Sequence, residues 1–148
     1  MHFISDDLEN YSAEHSENEP KLLEQLNRET HQKILQPRML SGHFQGRVLS
    51  MLSKLINPQH ILEIGTYTGY ATLCLAEGLK DNGTVDTIDV NEELYDFQKK
   101  YFNKCDYKDQ IKQYLGEAVK IIPEIDEKFD LVFIDADKSN YIKKSIKI

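Results

Sequence analysis

The sequence LEIGTYTGY at residues 62–70 places a glycine loop directly after a short apolar segment. Residues 61–64 have the apolar character of a buried strand, and residues 70–79 have the apolar spacing of a helix. A glycine loop between a strand and a helix lets a ligand approach the backbone closely. The stretch therefore predicts the first strand-loop-helix unit of a ligand-binding α/β fold.

On the carboxyl-terminal side of this unit, strands and helices continue to alternate at short intervals. The sequence predicts strands at residues 84–89, 111–115 and 129–134, with helices at residues 92–103 and 117–122 between them. Such alternation is typical of a parallel sheet with right-handed crossovers and helices on its faces. The predicted fold class is therefore α/β.

The residues before the sheet are helical in character. Ser16 and Glu19 have the spacing of a capping box, and Pro20 follows at an early helical position. A second apolar repeat at residues 48–56 predicts another helix, which ends before Pro58. These patterns predict an N-terminal helical segment that precedes the sheet.

Length and composition set further limits. A chain of 148 residues suits one core, so we expect a single domain with a helical segment at 1–57 and a cofactor-binding core at 58–148. The net charge of −7 gives no general basic surface for nucleic acid or anionic membrane. No apolar run approaches the roughly 20 residues of a membrane span. We therefore expect a cytoplasmic protein without membrane association.

The spacing of the glycines distinguishes between classes of nucleotide ligand. A dinucleotide-binding loop has the pattern GxGxxG, whereas Gly65 and Gly69 are separated by Thr66, Tyr67 and Thr68. A carboxylate two residues before the first glycine suits a cationic, amine-bearing ligand better than a phosphate. The loop therefore disfavours an NAD-binding oxidoreductase.

Acidic residues follow two of the predicted strands. Asp89 ends the second strand, where a carboxylate can accept hydrogen bonds from both ribose hydroxyls of a nucleoside, although it can also cap the next helix. Asp135 ends the fourth strand, and Lys138 follows three residues later. A carboxylate suits a hard divalent cation and a lysine can act as a base, while a helix cap and a solvated lysine are the structural alternatives. The glycine loop and Asp89 together indicate an adenosine-containing ligand.

These motifs resemble the cation-dependent O-methyltransferase family, which includes catechol and caffeoyl-CoA O-methyltransferases, and most of all its bacterial members. The resemblance runs from Arg38 to Tyr141. It implies a Rossmann-like class I S-adenosylmethionine-dependent methyltransferase fold preceded by N-terminal helices. It is carried by five segments, MLSG at 39–42, LEIGTYTGY at 62–70, TID at 87–89, GEA at 116–118 and FIDADK at 133–138.

The resemblance implies a role in S-adenosylmethionine binding for ten residues. Leu40 would contact the cofactor through its backbone, Glu63 would meet the methionine amino end, and Asp89 would bind the ribose hydroxyls. In many members a serine that binds the methionine carboxylate stands where this chain has Ala71, which implies somewhat weaker cofactor binding. The other implied contacts are Gly65, Thr66 and Tyr67 in the same pocket, Glu117 and Ala118 beside the adenine, and Asp135 at the methionine end.

The resemblance also implies the chemistry. Asp135 would be a ligand of a divalent cation, usually magnesium, and Lys138 would be the general base that deprotonates the acceptor hydroxyl. The reaction would transfer a methyl group to a catechol-like or other phenolic hydroxyl. Acceptors in this wide family include hydroxylated tRNA bases, so the sequence leaves the acceptor open. Dimerisation through the N-terminal helices is a further expectation from the resemblance.

The sequence departs from the family after Lys138. The family takes two more metal ligands, an Asp-Asn pair, from beyond the fourth strand, and no such pair follows here. The last strands of the sheet are therefore expected to be missing, which leaves a truncated, inactive cofactor-binding relic as the alternative function. His43, Gln45 and Arg47 are expected either to face an acceptor or to lie on a solvated helix face.

Overall fold

The computed structural model describes residues 5–136, which form a four-stranded parallel sheet in the order β3-β2-β1-β4. The strands are β1 (His60–Ile64), β2 (Thr84–Asp89), β3 (Ile111–Leu115) and β4 (Leu131–Ile134). Every pair of neighbouring strands is parallel. The predicted α/β fold with a parallel sheet is therefore confirmed, and all four predicted strands are present.

Within residues 5–136, six α-helices and four short 3-10 helices connect or precede the strands. The first three α-helices lie before β1, as predicted, and the others lie between strands. No helix within residues 5–136 is both long and apolar enough to cross a membrane. The α-helices are α1 (Asp6–Glu14), α2 (Lys21–Lys33), α3 (Gly42–Ile56), α4 (Tyr70–Ala76), α5 (Tyr95–Phe102) and α6 (Ala118–Ile121), and the 3-10 helices are Pro37–Met39, Glu92–Leu94, Lys108–Gln110 and Ile122–Glu124.

The sheet has an apolar layer on each face. Ile61 and Val85 belong to a core cluster shared with α2, α3, α4 and α5. Leu62 and Ile88 belong to a second cluster, which includes Ala118 of α6. Successive side chains of a strand point to opposite faces, so β1 and β2 place apolar residues in both layers. Burial on both faces explains why β1 and β4 are largely apolar in the sequence.

The strand ends lie level at the carboxyl edge of the sheet. The Gly65 N–H donates to the Ile88 carbonyl at 2.9 Å, and the Asp135 N–H donates to the Ile64 carbonyl at 2.9 Å. These bonds continue the ladder one residue beyond β1 and β4. The register therefore brings the glycine loop, the end of β2 and the end of β4 to one place.

The predicted capping box before α2 is wrong. Pro20 directly precedes α2, and no side chain caps that helix. The Ser16 hydroxyl instead donates to the Ser12 carbonyl at 2.5 Å, near the end of α1. The Glu19 carboxylate accepts a hydrogen bond from the Tyr70 hydroxyl at 2.5 Å. Glu19 therefore links the N-terminal segment to α4 rather than satisfying the start of α2.

The buried side of α3 contains small and polar residues. Gly46, Ser50 and Ser53 face inward, and Arg47 is only 9% exposed. The Arg47 guanidinium makes hydrogen bonds of 2.7 and 3.1 Å to the two carboxylate oxygens of Glu77. A buried charge of this kind requires such a partner. Arg47 therefore ties α3 to the end of α4, and the expectation that it lies on a solvated face or meets an acceptor is wrong.

The apolar repeat at residues 48–56 forms a helix as predicted, but most of it does not face the core. Leu49 is buried, whereas Met51, Leu52, Leu55 and Ile56 are each more than two-fifths exposed. Helical spacing alone therefore identified the helix and not its buried side.

We expect Gly78→Ala to destabilise the fold, because Gly78 lies directly against the backbone of α3. A Cβ at position 78 would collide with the backbone of Ser53 and Lys54. Since backbone atoms cannot rotate away, the free energy of unfolding should fall by about 3 kcal/mol. Urea unfolding followed by circular dichroism measures this change.

Gly42→Ala is the matched control. A Cβ there meets nothing within 4 Å, although φ is +73°. Its cost should stay near the ~1–2 kcal/mol of a left-handed L-residue. Equal losses in the two variants would contradict the close packing of α3 against residue 78.

Candidate functional site

A cavity of about 810 Å³ opens at the carboxyl edge of the sheet. The strand order changes direction there, because β2 lies on one side of β1 and β4 lies on the other. Ligands in open α/β sheets bind at this kind of switch point. The glycine loop, the chain after β2, the turn before α6, the end of β4 and residues 33–36 and 39 form its walls.

Two glycines of the loop adopt conformations that other residues rarely reach. Gly65 has a φ of +100° and Gly69 a φ of +90°. A Cβ on Gly65 would also collide with the carbonyl oxygen of Asp135. The absence of a side chain therefore lets the loop pass directly against the end of β4.

Tyr67 lies between these glycines and is held at three points. Its φ of +50° is left-handed, which is unfavourable for a residue with a side chain. Its N–H donates to Asp89 Oδ2 at 2.7 Å, and its carbonyl accepts from Gln98 Nε2 at 2.6 Å. Its hydroxyl lies 3.2 and 3.1 Å from the carbonyl oxygens of Leu35 and Gln36. Tyr67 thus joins the glycine loop to β2, to α5 and to the N-terminal wall of the cavity.

The Asp89 carboxylate retains acceptor capacity in the cavity wall. Oδ2 accepts from Tyr67, and Oδ1 accepts from the Asn91 N–H at 2.9 Å. Each carboxylate oxygen has about two acceptor sites, so each can still accept another hydrogen bond. The cap of the next helical turn is Asn91, whose side chain accepts from the Glu93 N–H at 3.0 Å. Asn91, rather than Asp89, therefore caps the next helix.

Glu63 lies beneath the loop and does not line the cavity. Its side chain is fully buried, and its Oε2 accepts hydrogen bonds from the hydroxyls of Thr72 and, at 2.6 Å, Thr87. Burial raises the pKa of Glu63 to about 7, against the opposing effect of the two hydroxyls, and the charges of Asp89 and Asp135 add to the increase. Glu63 is therefore separated from both cavities by the loop above it.

A second cavity of about 190 Å³ adjoins the first. The two cavities share Met39, Gly65, Tyr67 and Asp135 in their walls. The smaller cavity therefore extends the site past the glycine loop toward the start of α4. Its other wall residues are Leu40, Ser41, Thr66, Thr68, Tyr70 and Ala71.

The structure brings most of the predicted cofactor-binding residues together. Glu63 and Glu117 are the exceptions, since Glu117 is exposed and pairs with Lys120 at 2.6 Å. Lys138 lies outside the described residues, so its predicted role as a base stays a prediction. The predicted residues that line one or both cavities are Leu40, Gly65, Thr66, Tyr67, Ala71, Asp89, Ala118 and Asp135.

Sequence reasoning missed several residues of the site. Met39 lines both cavities, and Val90, Leu94 and Gly116 line the larger one. Two of them could have been predicted from their positions in the sequence. Val90 directly follows Asp89, and Gly116 directly follows β3. Residues 33–36 carried no such signal, since they reach the cavity only through the packing of α2.

The predicted metal ligand Asp135 is exposed and lines both cavities. Residues 5–136 contain no group of three or more histidine, cysteine, aspartate or glutamate side chains able to hold a metal ion. A hard divalent cation takes about six or more oxygen ligands. The described residues therefore do not fit a metal ion by themselves.

A parallel sheet with a glycine loop after β1 and an acidic residue at the end of β2 defines a Rossmann-like nucleoside-binding domain. Comparison with known proteins identifies the family. A model of the O-methyltransferase family matches residues 13–147. The chain belongs to this O-methyltransferase family.

Curated relatives agree with this assignment. Caffeoyl-CoA O-methyltransferase 1 of Arabidopsis thaliana is 38% identical over 146 residues, which cover 93% of this chain and 56% of the plant protein. Caffeoyl-CoA O-methyltransferase 1 of Eucalyptus globulus is 37% identical over 109 residues, which cover 70% of this chain and 44% of that protein. The chain thus spans about half the length of these relatives.

Solved structures show the same fold. An O-methyltransferase from Bacillus cereus in complex with S-adenosylhomocysteine superposes with a TM-score of 0.86 at 28% identity, over 95% of this chain and 67% of that one. The O-methyltransferase TomG from Streptomyces achromogenes, in complex with S-adenosylmethionine, gives 0.85 at 26% identity, over 95% and 66%. The predicted class I S-adenosylmethionine-dependent methyltransferase fold is confirmed, and the alternative of an inactive relic is not favoured.

We expect Glu63 to make stability fall as the pH rises. Its folded-state pKa of about 7 lies above the ordinary 4.5, so between these values the folded protein holds a proton that the unfolded chain has released. The free energy of unfolding should therefore fall by up to about 3 kcal/mol from pH 4.5 to 7 and then level off. Urea unfolding from pH 5 to 8 measures this loss.

Glu63→Gln provides the comparison, because the amide has nearly the same shape and does not titrate in this range. The difference in stability between the wild type and this variant should change across the same pH window. A difference that stays constant from pH 5 to 8 would contradict the raised pKa of Glu63.

Proposed function

We propose that the two cavities bind S-adenosylmethionine, and that the protein transfers the methyl group of this cofactor to the hydroxyl of a catechol-like or other phenolic acceptor. The observation that carries the proposal is the Asp89 carboxylate beside the glycine loop, with acceptor sites left on both oxygens. A pair of ribose hydroxyls is the natural partner for such a carboxylate.

The larger cavity suits the adenosine part of this cofactor. Its volume of about 810 Å³ is within the range of ligand pockets, which is roughly 300–1,000 Å³. Val90, Leu94 and Ala118 give this cavity apolar surface in addition to Asp89. A flat adenine ring requires surfaces of this kind.

The smaller cavity suits the methionine part. Gly65 and Thr66 bring backbone close to this space, and Ala71 lies at its far wall. Asp135 in the wall makes this end of the site acidic. A cationic ligand is therefore favoured over a phosphate. When bound, S-adenosylmethionine supplies an electrophilic methyl group on a sulfonium.

The role of the chain in the reaction is mainly positioning. Tyr67 and Asp89 would fix the nucleoside, and the glycine loop would fix the methionine part, so that the methyl group faces an incoming hydroxyl. Holding two reactants in line in this way accounts for much of the acceleration of a two-substrate reaction. Lys138 is proposed as the base that accepts the hydroxyl proton.

Three finer parts of the proposal rest on the family resemblance. They are assistance by a divalent cation, with magnesium as the metal and Asp135 as a ligand; a small phenolic acceptor, with a hydroxylated tRNA base as the other candidate; and dimerisation through the N-terminal helices. A cytoplasmic location is proposed from the composition of the sequence alone. The matched plant proteins carry the name caffeoyl-CoA O-methyltransferase, which favours a phenolic acceptor. No catalytic step is assigned to the metal.

Asp89→Asn should weaken cofactor binding. The amide keeps one acceptor oxygen but loses the negative charge and one of the two acceptors. Since hydrogen bonds to a charged group contribute about 1.5–3 kcal/mol, affinity for S-adenosylhomocysteine should fall roughly 10- to 100-fold. Isothermal titration calorimetry measures the dissociation constants.

Asp106→Asn serves as the control, because Asp106 is exposed and lines neither cavity. It removes the same charge and should leave affinity unchanged. If Asp89→Asn bound the nucleoside as tightly as the wild type, the proposed site would be wrong.

Methyl transfer tests the rest of the proposal. The protein, incubated with S-adenosylmethionine, magnesium and a phenol with two adjacent hydroxyls, should form S-adenosylhomocysteine and a methylated phenol. A chelator should suppress this product if a divalent cation assists the reaction. Mass spectrometry detects both products. Cofactor binding without any turnover, across several phenols, would support the inactive relic instead.

A further inference from the structure

A buried amide relay lies behind the larger cavity. Gln98 on α5 is only 1% exposed, and its Nε2 donates to the Tyr67 carbonyl at 2.6 Å. Its Oε1 accepts from Gln113 Nε2 of β3 at 2.5 Å. Gln113 Nε2 also donates to the Tyr95 carbonyl at 3.1 Å. Two glutamines thus connect β3 and α5 to the glycine loop.

The direction of the relay follows from its two ends. The carbonyl oxygens of Tyr95 and Tyr67 can only accept hydrogen bonds. The nitrogen of Gln113 must therefore face Tyr95, and the same nitrogen donates to the oxygen of Gln98. This leaves the nitrogen of Gln98 facing Tyr67. Gln113 thus fixes which end of the Gln98 amide meets the loop.

The relay acts on the most constrained residue of the site. The Tyr67 N–H belongs to the peptide plane before its Cα, and the Tyr67 carbonyl belongs to the plane after it. Asp89 holds the first plane and Gln98 holds the second. The two bonds together therefore fix both backbone dihedrals of Tyr67 in a left-handed conformation that is intrinsically unfavourable.

We infer that Gln98 is a positioning residue for cofactor binding, which acts by holding Tyr67 so that the Tyr67 N–H orients the Asp89 carboxylate toward the ribose hydroxyls. Gln98 itself lines neither cavity, so it acts only through Tyr67. This inference rests on the proposed function, because it assigns a role in the binding of the same nucleoside. It adds a determinant of affinity that no motif in the sequence indicates.

Two substitutions separate hydrogen bonding from packing. Gln98→Glu keeps the shape of the side chain but, when ionised, places an acceptor against the Tyr67 carbonyl. When protonated, the same carboxyl carries an O–H that can donate to that carbonyl again. Gln98→Met has a similar length and no donor at any pH. Recovery at low pH in the first variant alone would therefore report the hydrogen bond.

Gln110→Glu is a matched control at the opposite end of the sheet. Gln110 Nε2 donates to the carbonyls of Gly83 at 3.0 Å and Lys80 at 3.3 Å, just before β2. Gln110 lines neither cavity. Its substitution removes the same type of bond between a glutamine and the backbone without touching the glycine loop.

The measurement is the dissociation constant of S-adenosylhomocysteine, by isothermal titration calorimetry at pH 6 and pH 8.5, with the thermal midpoint of each variant recorded alongside. Loss of a partner for a buried polar group should weaken binding about tenfold for both Gln98 variants at pH 8.5. At pH 6, Gln98→Glu should return to within about threefold of the wild type, and Gln98→Met should not. Gln110→Glu should match the wild type at both pH values. The carboxylates of the site titrate in the wild type and in every variant alike. Their effect therefore cancels when the dissociation constant of each variant is divided by that of the wild type at the same pH.

Several outcomes overturn the inference. Wild-type affinity in both Gln98 variants would do so, as would equal weakening in Gln110→Glu, or weakening of Gln98→Glu that is the same at both pH values.

If the Gln98 variants fail to fold, Gln113→Met replaces them. Gln113 is partly exposed, and its substitution removes the hydrogen bond that orients the Gln98 amide. Gln113→Met should then weaken binding, and unchanged binding overturns the inference. A wild-type protein that binds no nucleoside refutes the proposed function itself, and the inference with it.

Discussion

The cavity depends on one hydrogen bond, from the backbone N–H of Tyr67 to the carboxylate of Asp89. This bond joins the glycine loop after β1 to the end of β2, so it closes the wall between two parallel strands. It also fixes the carboxylate that would meet a ribose. The bond also offsets part of the cost of the left-handed conformation of Tyr67, which is unfavourable for a residue with a side chain.

Polar residues beneath the loop support the same arrangement at a cost in stability. Glu63, Thr72 and Thr87 form a buried hydrogen-bonded group between β1, β2 and α4, and Thr66 joins it through the Thr87 hydroxyl at 2.6 Å. An apolar group of similar volume would be simpler to bury. Perturbed buried carboxyls are concentrated at functional sites, and Glu63 fits that pattern because it lies directly below the loop.

The sequence predicted what depends on neighbouring residues and missed what depends on distant ones. Strands β1 and β4 follow from short, largely apolar segments, and the loop follows from Gly65 and Gly69. The capping box failed because Glu19 binds Tyr70, which is 51 residues away. The buried side of α3 was missed because Arg47 and small residues lie there beside Leu49, while Leu52 and Leu55 are exposed. Gln98 was missed because its partner Tyr67 is 31 residues away, and no local pattern records such a contact.

The ion pair between Arg47 and Glu77 has a consequence for the response of the protein to salt. Both side chains are largely shielded from solvent, with exposed fractions of 8% and 15%. Counterions screen exposed charges over a Debye length of about 8 Å at physiological ionic strength, but they reach buried pairs much less. The attachment of α3 to α4 should therefore persist in concentrated salt, where surface pairs such as Lys120 with Glu117 lose their attraction.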